Sequence, residues 1–489
     1  MTRSSENTQP IARSVMIAGE MLNWSDLKPS DGRPALSGSA AAALVGAAVG
    51  AGTGSVLVAG PHSFELLELI TERATSVDVL VRSAPDADQI AEALDVRVFC
   101  GSLDHFGPEH GVPAYDVVVA LDGLDRLVGP DTLVLTWADA LAALQARVAP
   151  TGNLLLAAEN SFGLERLIQP DPTTTVPRDE AWPRDLTGDA APPVGLKAVT
   201  AAMVAAGLSG TQTYAVYPSP VDADTALTDV TGPLAAAAVA RSVATRFAGL
   251  TLTDPYRTAS DALAAGLGLE LAPAWYFVTG TATLPRVLPE DAVPPGKGEL
   301  LEEALFAALR IDDEASLRRT VRAYVAWLLA QNPDVAAVAS PDNVIADGAS
   351  YRVFADGVVA AGNGDALVLN HFARFVRRSL EAGSRQPWSA GSTPRDVTAR
   401  LASIVGITVT DELWNVVVDG NEIVRPAGTA ELLATIARLS QELSDASRQA
   451  TWFEDQLHGI RRSLPYRVGH AVLNPARVVV RRIRRMTGR

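Results

Sequence analysis

A few polar residues in the first third of the chain fall where short apolar runs end, and these could do chemistry. Asp122 and Asp125 lie within Tyr115–Leu127. Two carboxylates at such a place can orient or deprotonate a substrate hydroxyl. They can equally cap a helix. His62 is a second candidate base. Gly60 ends an apolar run and lets backbone approach a ligand, or simply makes a turn. Asp104, after Val96–Cys100, can accept a hydrogen bond from an adenine amino group or stand as a solvated loop carboxylate. Arg82-Ser83 closes Val77–Val81, where a ribose-binding enzyme places Asp or Glu. The same pair suits the 2′-phosphate of NADP, but no full Gly-x-Gly-x-x-Gly turn accompanies it. Glu159-Asn160 ends the last run with polar groups, which favours a site at that edge.

The elements that must position these residues are legible as a pattern. The runs within 54–64, 77–81, 96–100, 115–127 and 152–160 are short, apolar and rich in β-branched residues, as in strands buried on both faces. Between them, Phe64-Leu67-Ile70 and Trp137-Leu141-Leu144-Val148 recur at helical spacing. Strand–helix alternation of this kind predicts an α/β, doubly wound Rossmann-like sheet, whose ligands bind beyond the C-terminal strand ends. Residues 1–54 read as an N-terminal arm with helices at Val15–Trp24 and Ser39–Ala51. Residues 55–292 read as the sheet domain, with Gln212–Tyr217 and Trp275–Thr279 as an antiparallel closing pair and a Pro/Asp/Thr-rich lid at Gln169–Pro193. A Pro/Gly linker at Val293–Gly298 precedes a C-terminal α+β domain over 299–427, with a small sheet from Asn343–Ile345, Tyr351–Phe354 and Gly357–Ala360.

Tyr115–Leu127 followed by Trp137–Asn160 resembles the second half of class I S-adenosylmethionine-dependent methyltransferases. Pro150-Thr151-Gly152-Asn153-Leu154-Leu155-Leu156 is similar to the rise into their fifth strand, and the likeness covers roughly 50–285. The continuation Glu159–Leu164 looks like the version found beside glycosyltransferases of bacterial surface-polysaccharide pathways. The resemblance implies S-adenosylmethionine as cofactor, held by Gly60, Asp104, Leu121, Asp122, Gly123 and Leu124. Catalysis would fall to Asp122, Asp125 or His62, on a small-molecule or glycan acceptor. Two departures stand out. The first turn has His62 rather than Gly-x-Gly, and Arg82 replaces the ribose-binding carboxylate. An alternative therefore stands beside the enzyme: a non-catalytic scaffold with a methyltransferase fold that organises glycan-assembly enzymes. A fainter likeness links Asn343 and Asp356 to the magnesium-binding segment of kinase-like phosphotransferases, without their catalytic His-x-Asp or phosphate loop.

Composition bounds the partners. With 48% hydrophobic and 20% charged residues the chain is globular. Its net charge of −15 hides an asymmetry: 461–489 holds nine Arg and no acidic residue. The acidic body predicts no nucleic-acid partner, and the basic, aliphatic tail predicts contact with an anionic membrane surface, the other readings being an Arg arm folded onto the acidic body or an RNA-binding tail. Within 428–460, apolar or small residues at 432, 436, 439, 443, 446, 450, 453, 457 and 460 follow a coiled-coil seam, predicting a homo-oligomer or a partner protein, or one amphipathic helix packed at home. A single cysteine, Cys100, permits no intrachain disulfide. The expected location is cytoplasmic, peripheral at the inner membrane face. His105 and His110 share a loop without a third ligand, so no metal is expected.

Overall fold

The computed structural model describes residues 14–28, 33–129, 135–169, 192–247, 251–280, 282–381, 392–417 and 428–462. Most of the lid expected at 169–193 and nearly all of the expected basic tail lie outside them.

In chain order the first body runs β1 (Ser14–Met16), α1 (Ser39–Ala48), β2 (Thr53–Ala59), α2 (Phe64–Thr71), β3 (Ala74–Val81), α3 (Ala84–Ala93), β4 (Arg97–Cys100), β5 (Tyr115–Ala120) and α4 (Trp137–Gln145). It continues with β6 (Val148–Glu159), α5 (Leu164–Ile168), α6 (Leu196–Ala205), β7 (Gln212–Tyr217), β8 (Thr225–Leu227), α7 (Pro233–Arg246), α8 (Pro255–Ala264) and β9 (Ala274–Val278). The β-branched runs form one nine-stranded sheet in the order β1-β4-β3-β2-β5-β6-β9-β7-β8. Strands β1 to β6 are parallel, and β9 reverses the direction against β6 and β7. The expected doubly wound sheet and its closing antiparallel pair are both present.

Alternation sends Leu57, Leu80, Val118 and Leu154 to one core, and Val56, Val58, Val79 and Leu155 to the core on the opposite face. Helices start where side chains can satisfy free N–H groups. Ser63 accepts from Leu66, Ser83 from Asp86, and Thr136 forms a reciprocal cap with Asp139. The strand order turns back between β2 and β5, which puts the crevice beside Gly60 and Asp122.

Four expectations change. Val15–Trp24 is not a helix: Ser14–Met16 extends the sheet by pairing with Val98–Cys100, because an exposed parallel edge offers its N–H and C=O groups to any extended segment. The closing pair is not the whole antiparallel end of the sheet: the stretch between its two strands adds a third, β8, at the opposite edge. The linker is not loose, since Val293 is buried against Leu234 and Ile345. Gly357–Ala360 is not a strand; the third strand of the small sheet is β10 (Glu299–Leu300).

The second body contains α9 (Leu301–Arg310), α10 (Glu314–Leu328), α11 (Pro333–Val338), β11 (Val344–Asp347), β12 (Ser350–Val353), α12 (Gly364–Glu381), α13 (Pro394–Ile404) and α14 (Asp411–Trp414). They enclose a separate core around Leu305, Tyr324, Phe372 and Leu401. A final helix, α15 (Thr429–Arg462), follows. Among the described residues, no helix is long and apolar enough to cross a membrane.

Candidate functional site

The C-terminal ends of β2 to β5 are covered by the chain itself. Residues 17–28, which leave β1, and residues 33–37 lie over these ends. Ser102 N–H donates to the Ala18 carbonyl and Met21 N–H to the Arg82 carbonyl, while Leu36 pairs with the first turn through Pro61 and Ser63. Gly101 and Gly129 are the points of closest approach. A Cβ at Gly101 would strike the Ala18 carbonyl, and one at Gly129 would strike the Gly19 carbonyl.

Charge fixes this strap. Arg82, 5% exposed, donates from Nε and Nη2 to the two oxygens of Asp26 at 2.8 Å each, and from Nη1 to the Val128 carbonyl at 3.2 Å. Asp86, in the first turn of α3, accepts from the backbone N–H groups of Asp26 and Leu27 at 2.7 and 3.1 Å. Arg126 grips Asp122 through Nε at 2.8 Å and Nη2, and its remaining donors reach the carbonyls of Asp26, Arg33 and Pro34. Arg33 spans Asp122 and Glu159. Burial alone would pull the Arg33 guanidinium down, yet Asp122, Glu159 and Asp125 hold it above its ordinary value. Burial pushes the Glu159 carboxyl up, with Arg33 opposing.

The sequence-derived candidates fall around this strap, with uneven fates. Gly60 makes its turn at φ 94°, and a Cβ there would meet Asp122 and Leu127 at 3.5 and 3.6 Å rather than open space. Asp122 is buried and neither caps a helix nor faces solvent; its carboxylate belongs to Arg126 and Arg33. Asp125 opens a single helical turn, and its charge is felt at Arg33. His62 is 1% exposed; Nδ1 lies 3.0 Å from the Gly60 carbonyl, so it carries the proton, and Nε2 has no hydrogen-bond partner. Burial lowers its pKa. Asp104 ends one oxygen in a buried position without a hydrogen bond, with His105 3.5 Å from the other. Leu121 and Leu124 are core residues on opposite faces of the sheet, and Gly123 turns at φ 85°. Asn160, expected to favour a site, instead braces the chain ahead of β9 by donating to the carbonyls of Glu270 and Ala272.

Asp26, Arg33 and Asp86 escaped the sequence reading, because nothing local marks them. Arg126 had a signal: it sits four residues after Asp122, at ion-pair spacing.

A second recess of about 450 Å³ lies between the bodies, lined by Arg241 of α7, Tyr256, Ser340, Asn343, Asp356 and Arg374. Asn343 donates to the carbonyls of Val338 and Ala355 at 2.9 and 2.8 Å, so its amide holds the loop after β12. Among the described residues, no group of three His, Cys, Asp or Glu could hold a metal ion.

No family profile and no curated protein matches the chain. Among solved structures it is similar to an amino pentose methyltransferase from Micromonospora echinaspora involved in calicheamicin biosynthesis. Identity there is 28% over 21% of this chain and 42% of that one, with a TM-score of 0.18. A SAM-dependent methyltransferase from Archaeoglobus fulgidus gives 13% identity over 48% and 88%, at 0.28. A protein described as a Zn-dependent alcohol dehydrogenase, from Rhodobacter sphaeroides, gives 19% over 27% and 52%, at 0.20. The chain spans about half the length, or less, of the first solved methyltransferases it matches. At these scores the neighbours add nothing to the topology already described.

Proposed function

We propose that this chain is a methyltransferase-fold protein whose donor site is shut by its own strap, residues 17–28 and 33–37, so that methyl transfer from S-adenosylmethionine requires that strap to lift. The observation that supports this is the buried Arg82–Asp26 bridge over the strand ends. As folded, the residues there do not fit the cofactor. Gly60 faces side chains instead of space, Gly101 and Gly129 approach the strap, and Arg82 stands where the resemblance expects a ribose-binding carboxylate.

Lifting the strap removes Asp26 and Arg33 together. Asp122 then keeps Arg126, while Glu159 loses Arg33, the stronger of the two cations that offset its burial, and keeps Arg166. Those two carboxylates, with His62 behind them, are the groups left to face an acceptor hydroxyl. A sugar or lipid-linked glycan at the inner membrane face is the acceptor class we favour, on the likeness of Glu159–Leu164 and the Arg-rich end of the chain. The scaffold reading is favoured by one observation: Arg82 is fully engaged by the protein itself.

One experiment separates the two. Arg82→Glu sets a like charge against Asp26, which should expel the strap, and restores a carboxylate at the end of β3. With circular dichroism confirming the fold, S-adenosylhomocysteine at about 100 times its Kd should stabilise this variant by roughly 2.7 kcal/mol, and the unaltered chain by much less. Absence of a thermal shift in either protein at millimolar ligand, with NADPH also silent, would establish the scaffold.

A further inference from the structure

We infer that α15 pairs with the same helix of a second copy of this chain, as a parallel, in-register two-stranded coiled coil. The helix has 34 residues and is about 51 Å long at 1.5 Å per residue. Its first turn is anchored: the Thr429 N–H and hydroxyl both donate to the Thr251 carbonyl, at 3.0 and 2.9 Å. Further along, Leu432, Ile436, Leu439, Leu443 and Phe453 are 48, 59, 38, 69 and 59% exposed. A helix gains most of its stability from burying its apolar face, and here that face meets water.

The seam specifies its occupant. Spacing puts Ile436 and Leu443 at a positions and Leu432, Leu439 and Phe453 at d. At Ile436 with Leu432 and Leu439 the seam has isoleucine at a and leucine at d, the two-stranded, parallel preference. Ala446 and Ala450 let the two backbones approach at mid-length. Partner choice in coiled coils is set by charges at e and g. In register, the facing g and e positions pair Thr435 with Ser440, Glu442 with Ser447, and Gln449 with Glu454. No like charges meet, so nothing excludes the chain's own copy. The arginines do not read across the seam either, because Arg438 and Arg448 each bridge a carboxylate of their own helix, Glu442 and Asp445. A surface without a charge code that is identical to its partner by symmetry is self-complementary.

Sedimentation equilibrium of the full chain at micromolar concentration should give twice the 51.3 kDa protomer mass. Leu439→Asp with Leu443→Asp should return it to the monomer with an unchanged near-ultraviolet spectrum. Orientation is read by Ile436→Cys, which should oxidise to a covalent dimer, whereas Arg448→Cys on the outer face should not. Cys100 supplies no background, being buried. A monomer, a dimer that survives the double substitution, or a dimer that the Ile436→Cys variant fails to link covalently would each overturn the inference. None of these outcomes touches the donor-site reading, whose variant leaves α15 intact.

Discussion

Arg82 shows how much one side chain decides. Its guanidinium meets Asp26 through two bonds in a site closed to water, and breaking such a pair by removing one partner leaves a buried charge uncompensated. Asp26→Ala should therefore lower stability by about 3–5 kcal/mol in denaturant unfolding, and Asp26→Ala with Arg82→Leu by clearly less. His62 and His371 act through protons. Burial lowers both pKa values below the ordinary 6.5. As pH falls through 6.5 the unfolded chain therefore binds protons first, and stability declines until the folded histidines are charged. Replacing His62 with Gln should flatten that acid-side slope by up to about 1.4 kcal/mol per pH unit, measured by urea titration between pH 7 and 5. The sequence exposed Arg82 as an anomaly, since a carboxylate was expected there. It could not name the partner, because 56 residues separate Asp26 from Arg82 and no periodicity spans that gap.

The elements that carry buried apolar runs were legible: β2 to β6, the closing pair and α2 all fall within a few residues of where the pattern placed them. The three-residue strands β1 and β8 were not. Their identity comes from the edge they meet rather than from their own alternation, and Val15–Trp24 carries enough apolar spacing to pass for a helix. The strap depends equally on glycine at its contacts. Gly129→Ala should press against the Gly19 carbonyl and loosen residues 17–21, while the sheet stays folded. Cys100 reports this directly. It pairs with Met16 of β1, and burial pushes its thiol up to about 12, so alkylation waits for the edge to open. Iodoacetamide should modify Gly129→Ala at least several-fold faster than the unaltered chain.

At the scale of the whole molecule, two cores meet through a small apolar contact of Leu234, Ala237 and Ala238 with Val293, Leu300 and Ile345. Arg241 crosses the junction to donate to the Asp342 carbonyl and lies 5.4 Å over the Phe354 ring. The second body is held by its own buried chain of charges. Arg378 bridges Glu302, and Arg374 bridges Asp342. Burial opposes ionisation of Asp342, but Arg378 and Arg374 outweigh it and hold the carboxyl far below the usual range. Glu302→Ala should cost about 3–5 kcal/mol. It should lower one calorimetric transition, that of the second body, and leave the other in place. The composition of 293–298 marked a linker in the sequence but not the packing of Val293, because a proline-rich stretch looks the same loose or docked.

The strap has a consequence for how the protein is made. Residues 14–28 and 33–37 are synthesised before their partners, among them Arg82, Cys100 and Gly129. At roughly 5–20 residues per second, the nascent chain spends on the order of ten seconds with Ile17, Met21 and Leu36 unsheltered. A segment made before its seat must thus wait for it, and anything that slows its docking leaves the sheet edge at β4 open for longer.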